Sequence, residues 1–495
     1  MDDMWSWMGV HLPAALTWIA LIGDIVLRLT AIVIVPRGRR PGSAIAWLLT
    51  IMIFPWVGFP LFLMLGSNKL PRGRWEKHRE VDELMRARAE ALPDAVLDPD
   101  APSWLQSAVQ LNRNLGAFPL TGDNAVELDT DYGRTIERMT ADVRAAESTV
   151  HALFYTMGLD DVTRDFVDAL CDAADRGVAV RVLYDFYGSA SHPREYRALR
   201  RTLTAHGIAH HAMLPIRPLR NGAFQRPDLR NHRKLLIVDG ETGWMGSQNM
   251  IARHYDKRAN IRRGLRWQET MARLRGPIVS EMNLLFAIDW YFESDETLPE
   301  GQVVRPAPPT GGALECQLVP SGPGFPSQNN LLLFNQLFYS AKERIVAVSP
   351  YFVPDESMLG ALVTAAKRGV DVEVMVSEIG DQFLVHHAQR SYYRALLEAG
   401  VRIQLYRSPF ILHAKHVSID DSVAVIGSSN MDMRSFWLQM ECSLMVGDSG
   451  FLRQVHELED MYRRRCRELT MDEWRERSQI SRAVDDLCRL ASAVV

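Results

Sequence analysis

The chain has 495 residues, 47% of them hydrophobic, and a formal net charge of −4. That length holds two or three domains with a sizeable core, and the slightly acidic balance supplies no global basic field to recruit nucleic acid. Five scattered cysteines (Cys171, Cys316, Cys442, Cys466 and Cys488) lack metal-ligand spacing and read as ordinary reduced residues.

A mean hydropathy of −0.11 conceals an apolar N-terminus. Residues 12–35 are apolar apart from Asp24 and Arg28, which stand four apart on one helix face, where they can pair. Residues 44–65 run without a charge, enough for a helix to cross a hydrocarbon layer of about 30 Å. The chain opens Met1-Asp2-Asp3 without a basic leader, and no small-residue cleavage pattern precedes Pro36, so a retained two-helix hairpin over 1–66 is expected rather than a signal peptide. Pro55 and Pro60 kink the second span or make it re-entrant. Three arginines in the turn 36–41, with Lys69, Arg72, Arg74, Lys77 and Arg79 after the second span, lean toward a cytoplasmic location for the rest of the chain.

A charged connector over 67–112 leads into two diverged copies, 113–304 and 313–495, separated by the Pro- and Gly-rich linker 305–312. In the first copy an amphipathic helix over 162–175 ends at Arg176-Gly177 and feeds the alternating run Val178-Ala179-Val180-Arg181-Val182. In the second, a helix over 356–367 ends at Arg368-Gly369 and feeds Val370-Asp371-Val372-Glu373-Val374. Each glycine suits a helix C-terminus and each run a strand. With matching strands upstream, at 150–155 and 345–351, the order predicts α/β lobes, each with a mixed sheet flanked by helices.

The chemistry is repeated as well. His232-x-Lys234, then Asp239, then Gly246-Ser247-x-Asn249 recurs as His413-x-Lys415, Asp420 and Gly427-Ser428-x-Asn430, with one offset of 181 residues throughout. Alternate residues of a strand face one side, so each His projects with its Lys. Asp239 and Asp420 fall at the turns that end these strands, where bonds to backbone are the ordinary role of Asp. An imidazole, an ammonium, a hydroxyl and an amide converging on one spot make a phosphate site, in which Ser247, Ser428, Asn249 and Asn430 serve as neutral donors. Two identical sets in one chain are explained if both contribute to one cleft, with a histidine on either side of a bound phosphate.

These paired motifs resemble the phospholipase D superfamily, in which two halves form one active site. The resemblance covers about residues 115–446, and neither motif departs from the family pattern. The N-terminal hairpin, Ser321-Gly322-Pro323-Gly324 and Asn430-Met431-Asp432-Met433-Arg434-Ser435 look more narrowly like bacterial cardiolipin synthases. That resemblance implies a duplicated phospholipase D-type α/β fold with two pseudo-symmetric lobes behind the hairpin, in the inner membrane. It implies catalysis by His232, Lys234, Asp239, His413, Lys415 and Asp420 with no metal and no cofactor. One histidine attacks the phosphodiester to give a phosphohistidine and the other serves as acid and base; family analogy leans toward His232 as the nucleophile. Glu269, 37 residues after His232, and Glu441, 28 after His413, are candidates to orient the histidines.

The implied reaction passes a phosphatidyl group from one phosphatidylglycerol to another and releases glycerol, making cardiolipin at the bilayer without nucleic acid. Alternatives are a membrane-bound hydrolase, a phosphatidyltransferase with another alcohol acceptor, and, further off, a nuclease or a non-catalytic lipid-binding protein. Arg217, Arg220, Arg226 and Arg230 read either as a headgroup-attracting patch or as a solvated loop. Residues 451–490, with Arg463-Arg464-Arg465, read as an amphipathic helix over the second lobe.

Overall fold

The computed structural model describes residues 14–39, 41–66, 95, 97, 101–116, 118–216, 228–255, 257–303, 310–325 and 327–490. Lys69, Arg72, Arg74, Lys77, Arg79, Arg217, Arg220, Arg226 and the first part of the linker, 305–309, lie outside them. The chain divides into two compact units, Met1–Leu70 and Pro71–Val495.

The first unit contains helices α1 (Ala14–Ile34), α2 (Pro41–Ile53) and α3 (Pro55–Leu65). α1 has 21 residues, about 31 Å of helix, and it alone among the described helices is long and apolar enough to cross a membrane. The second apolar stretch is divided at Pro55, one of the two prolines at which a kink or re-entrant turn is expected. Proline lacks an N–H and drives the residue before it out of the helical region; Phe54 accordingly takes φ −129° and ψ 68° ahead of Pro55. Asp24 and Arg28 pair at 2.7 Å. Arg28 Nη1 also donates to the Met52 carbonyl at 2.7 Å, giving a partner to one of the acceptors left over at the end of α2.

In the second unit one sixteen-stranded sheet runs through both lobes. At its centre Leu120–Asp129 lies antiparallel to Leu314–Ser321. Outward through the first lobe follow Met271–Arg275, Thr242–Gly246, Leu235–Val238, Thr149–Phe154, Ala179–Asp185 and Ala209–Met213. Outward through the second follow the equivalent strands Gln439–Val446, Val423–Gly427, His416–Ile419, Arg344–Val348, Asp371–Ser377 and Arg402–Tyr406, with Cys466–Leu469 added at the edge. The order is the same in both directions, so the halves are related by a pseudo-two-fold through the central pair. Three strands of each lobe, Thr149–Phe154 to Ala209–Met213 and Arg344–Val348 to Arg402–Tyr406, are parallel and the other pairs along this order are antiparallel; the sixteenth strand, Arg230–Asn231, adds in parallel to Gln439–Val446.

Helices cover both faces. Arg164–Asp175 and Glu356–Lys367 occupy equivalent places, and Gly177 and Gly369, at φ 91° and 93°, release the chain into the next strand. On the other face Ile278–Ser294 and Ser449–Arg463 share one core across the two lobes, where Leu274, Met282, Leu318, Ile426 and Leu444 are buried together with Phe451 and Val455. The helix Ser103–Asn114, within the stretch read as a connector, also belongs to this unit: Leu105 and Ala108 join the second-lobe core beside Phe334. Residues 451–490 are not one helix, since Cys466–Leu469 interrupts them and pairs with Arg402–Tyr406. Arg463 is an ion-pair partner of buried Glu373 at 2.6 Å.

The motif aspartates stand away from the histidines and are corrected from catalytic to structural. Each lies five residues beyond its lysine, about 16 Å along an extended strand, at φ 55° for Asp239 and 50° for Asp420. Asp239 accepts from the backbone N–H groups of Glu147, Ser148 and Thr149 at 2.7–2.9 Å, and Asp420 from those of Lys342, Glu343 and Arg344 at 2.8–3.1 Å. They fasten the turn after the motif strand to the start of its neighbour. Asp239→Ala or Asp420→Ala should therefore lower stability by about 1–3 kcal/mol and leave kcat per folded molecule within about threefold. Denaturant titration beside an activity assay checks this; a collapse of kcat in fully folded protein would return these residues to the reaction.

Candidate active site

The site grows out of two very short strands. Arg230–Asn231 and Phe410–Leu412 occupy equivalent positions immediately before His232 and His413, and each crosses to the opposite lobe. Arg230 and Asn231 run parallel to Gln439 and Met440, and the His232 N–H donates to the Met440 carbonyl at 2.8 Å. Phe410, Ile411 and Leu412 run parallel to Arg266, Trp267 and Gln268, and the His413 N–H donates to the Gln268 carbonyl at 2.8 Å. Register alone then sets His232 beside Glu441 and His413 beside Glu269.

The side chains follow. His232 Nδ1 lies 3.0 and 3.1 Å from the carboxylate oxygens of Glu441, and His413 Nδ1 lies 2.8 Å from both oxygens of Glu269. Each lobe thus orients the other lobe's histidine. A proton on Nδ1 held by the carboxylate leaves Nε2 of each ring free to face the cleft. Lys234 and Lys415, on the same faces as their histidines, donate to the His232 and His413 carbonyls at 2.5 Å. All six side chains are buried.

The serines and asparagines are brought to the site, but in other roles than expected. Ser247 Oγ donates to Glu269 at 2.6 Å and Ser428 Oγ to Glu441 at 2.5 Å, so both hydroxyls brace a carboxylate instead of facing a phosphate. The glycines of the motif explain the closeness: a Cβ on Gly246 or Gly427 would stand 2.3 Å from the backbone oxygen of Thr270 or Cys442, the residue that follows each glutamate. Asn249 spends Nδ2 on Tyr255 and accepts from the Thr156 N–H. Asn430 retains a buried Oδ1 with no partner among the described residues. Arg230 is fully buried, with Nη1 3.3 Å from Asp185 and 3.0 Å from the Leu214 carbonyl; it is a structural cation and is taken out of the expected headgroup patch.

Three further groups complete the site and were missed in the sequence. Tyr155 packs edge-on against His232 at 4.9 Å and Tyr351 against His413 at 6.4 Å. Ser435 Oγ donates to Glu441 at 2.9 Å. The tyrosines each stand just beyond the strand upstream of their motif, and Ser435 lies in the quoted segment 430–435, so the signal was placement within the repeat. A narrow cavity lined by Tyr351, Gly380, Asp381 and Gln382 opens on the second-lobe side.

The electrostatics are not symmetric. Burial, reinforced by the charges of Lys234, Lys415 and His413, holds His232 well below the usual imidazole range. Burial lowers His413 too, but Glu269 works against it. Burial opposes ionisation of Glu269, yet His413 and Lys415 outweigh it and keep its carboxyl below the ordinary range. Glu441 is pushed up to about 7 by burial, against the pull of Lys234. Burial brings Lys234 down to about 7 and Lys415 to about 8. Both rings are thus held toward the neutral form, His232 the further, and His413 is the one whose protonated form has an ionised partner.

A buried pair of carboxylate-held imidazoles flanked by two ammonium groups defines a phosphoryl-transfer enzyme that takes one half of its site from each lobe. A family profile described as cardiolipin synthase, PLD-like domain, matches residues 139–276 and 334–463, and a second, described as phospholipase D-nuclease N-terminal, matches residues 16–67. The chain is 31% identical to cardiolipin synthase A of Proteus mirabilis, over 92% of its length and 94% of that relative. It is likewise 31% identical to cardiolipin synthase A of Pectobacterium carotovorum subsp. carotovorum, over 94% and 95%. Among solved structures, phosphatidylserine synthase of Haemophilus influenzae Rd KW20 superposes with a TM-score of 0.60 at 14% identity, over 79% of this chain and 100% of that one, a likeness of fold. The chain belongs to the cardiolipin synthase family of phospholipase D-like proteins.

The crosswise pairing has a kinetic consequence. Glu441→Gln should impair the step that His232 performs and Glu269→Gln the step that His413 performs, each by about 10²–10⁴-fold. A substrate with a good leaving group separates them, because it needs no acid: it should rescue the variant whose glutamate holds the acid histidine and not the other. Rescue of both variants, or of neither, would contradict a division of labour between the two pairs.

Proposed function

We infer that this chain is a membrane-associated phosphatidyltransferase that makes cardiolipin, and that it uses phosphatidylglycerol as both donor and acceptor. The observation that carries the reading is the pair of histidines, each held at Nδ1 by a glutamate of the other lobe, in a chain whose family is that of the cardiolipin synthases.

The reaction runs in two displacements. Nε2 of neutral His232 attacks the phosphorus of the first phosphatidylglycerol; a phosphorus–nitrogen bond forms and the phosphorus–oxygen bond to glycerol breaks. The departing alkoxide takes the proton from Nε2 of the His413 imidazolium, and glycerol leaves. A hydroxyl of the second phosphatidylglycerol then attacks the same phosphorus, its proton passes back to His413, and the phosphorus–nitrogen bond breaks to free His232. The stronger depression of His232 and the ionised partner of His413 support this division of labour. Lys234 and Lys415 stabilise charge on the other phosphoryl oxygens, an effect typically worth a few kcal/mol.

The anchor suits the substrate. Trp18, Ile22, Val26, Leu29 and Val33 are exposed apolar side chains along α1, as a helix in a hydrocarbon layer requires. α2 and α3 are each too short to span alone, and a helix broken at Phe54–Pro55 fits a second, interrupted pass. The arginines of the turn 36–41 lean toward a catalytic unit on the cytoplasmic face of the inner membrane.

Purified enzyme given only phosphatidylglycerol should yield a four-chain lipid and an equal amount of glycerol by mass spectrometry; phosphatidic acid as sole product would identify a hydrolase. The ratio kcat/KM should fall as pH rises through about 7 to 8, because Lys234 and Lys415 are cationic below those values and neutral above them. A ratio still climbing at pH 9 would remove both lysines from anion binding.

A further inference from the structure

The motif offset extends past the motifs. Arg253 stands four residues after Asn249 and Arg434 four after Asn430, again 181 apart. The two guanidiniums have different surroundings. Arg253 is tied down: Nε donates to the Trp267 carbonyl at 2.8 Å, Nη2 to Gln268 Oε1 at 3.2 Å, and the group lies over the Phe410 ring. Arg434, in the short helix Met433–Trp437, makes no side-chain hydrogen bond or salt bridge to any described residue, and its Nε is shut off from solvent without an acceptor.

Its charge is nevertheless felt beside His232. It acts on buried Tyr155, whose ring lies against His232, and on Asp432. Desolvating a cationic N–H with no acceptor destabilises the empty protein. The equivalent residue shows that the fold can supply acceptors at this place in a lobe. An arginine left without one among the described residues, its charge felt by a tyrosine that packs on His232, has the character of a group completed by an anionic ligand. Its planar, permanently charged fork matches a phosphate oxygen pair in a way that a lysine point charge does not.

We propose that Arg434 binds a phosphodiester oxygen of a lipid substrate in the cleft, a role that rests on the phosphatidyl-transfer reading above. The phosphodiester belongs either to the donor, at the reacting phosphorus, or to the acceptor phosphatidylglycerol, which carries one that water does not.

The test uses the full chain in mixed micelles of detergent and phosphatidylglycerol, following cardiolipin and phosphatidic acid together. Arg434→Gln should raise KM by about tenfold or more, the cost of losing a hydrogen bond to a charged partner, with a smaller change in kcat. Arg434→Lys should recover part of the loss. Thermal stability should stay the same or rise in Arg434→Met, because no protein partner is orphaned. If KM rises alike for both products, Arg434 holds the donor; if cardiolipin falls relative to phosphatidic acid, it holds the acceptor. An unchanged KM and product ratio, or a fall in Tm accompanied only by lower kcat, would overturn the inference. Wild-type protein that makes phosphatidic acid and no cardiolipin would overturn the transfer reading instead, and the Arg434 series would still be readable from phosphatidic acid.

Discussion

Everything in the catalytic unit depends on an exchange between its halves. Two strands of two and three residues pair in parallel with the opposite lobe, and that pairing sets each histidine against a carboxylate more than a hundred residues away in sequence. The exchange fixes the tautomer of both rings, because a carboxylate at Nδ1 keeps the proton there. It also gives the shared sheet and the core beneath Ile278–Ser294 and Ser449–Arg463 a functional meaning: they hold the halves in the one registration at which both pairs form.

Much of this was legible in the sequence. The repeated Gly after a helix, the alternating valines and the constant offset of the motifs predicted two α/β lobes and the members of a common cleft, because those signals are local and were printed twice. The exchange was not legible. Its strands are too short to show a period, and the spacing from motif asparagine to glutamate is 20 residues in one copy and 11 in the other, which hides their equivalence. Ser247 and Ser428 were misread for a related reason: strand spacing at a glycine decides where a hydroxyl points, and no pattern in one strand records its distance to the next. Asp239 and Asp420 travelled with the motif although their work is at its far end. The break at Phe54 followed from Pro55, yet only the backbone angles show that it ends one helix and begins another.

Near-symmetry makes the differences informative. Two lobes with the same order of strands present a His232 held further below the imidazole range and a His413 whose partner is ionised, and among the described residues one arginine is bound where its equivalent keeps a buried Nε without an acceptor. Duplicated scaffolds ordinarily give duplicate environments. Where the copies diverge around a common phosphorus, each has room to specialise, one for attack and one for proton transfer.

The crosswise carboxylates also bear on biosynthesis. A polypeptide emerging from the ribosome possesses His232, Lys234 and Glu269 long before Glu441 and the strand that carries it exist. Until the last third has been translated and docked, the first imidazole has neither its backbone anchor nor its acceptor, and the first glutamate has no ring to hold. A truncated or half-made product therefore lacks an assembled site, and competence arrives only once the second lobe has docked on the first.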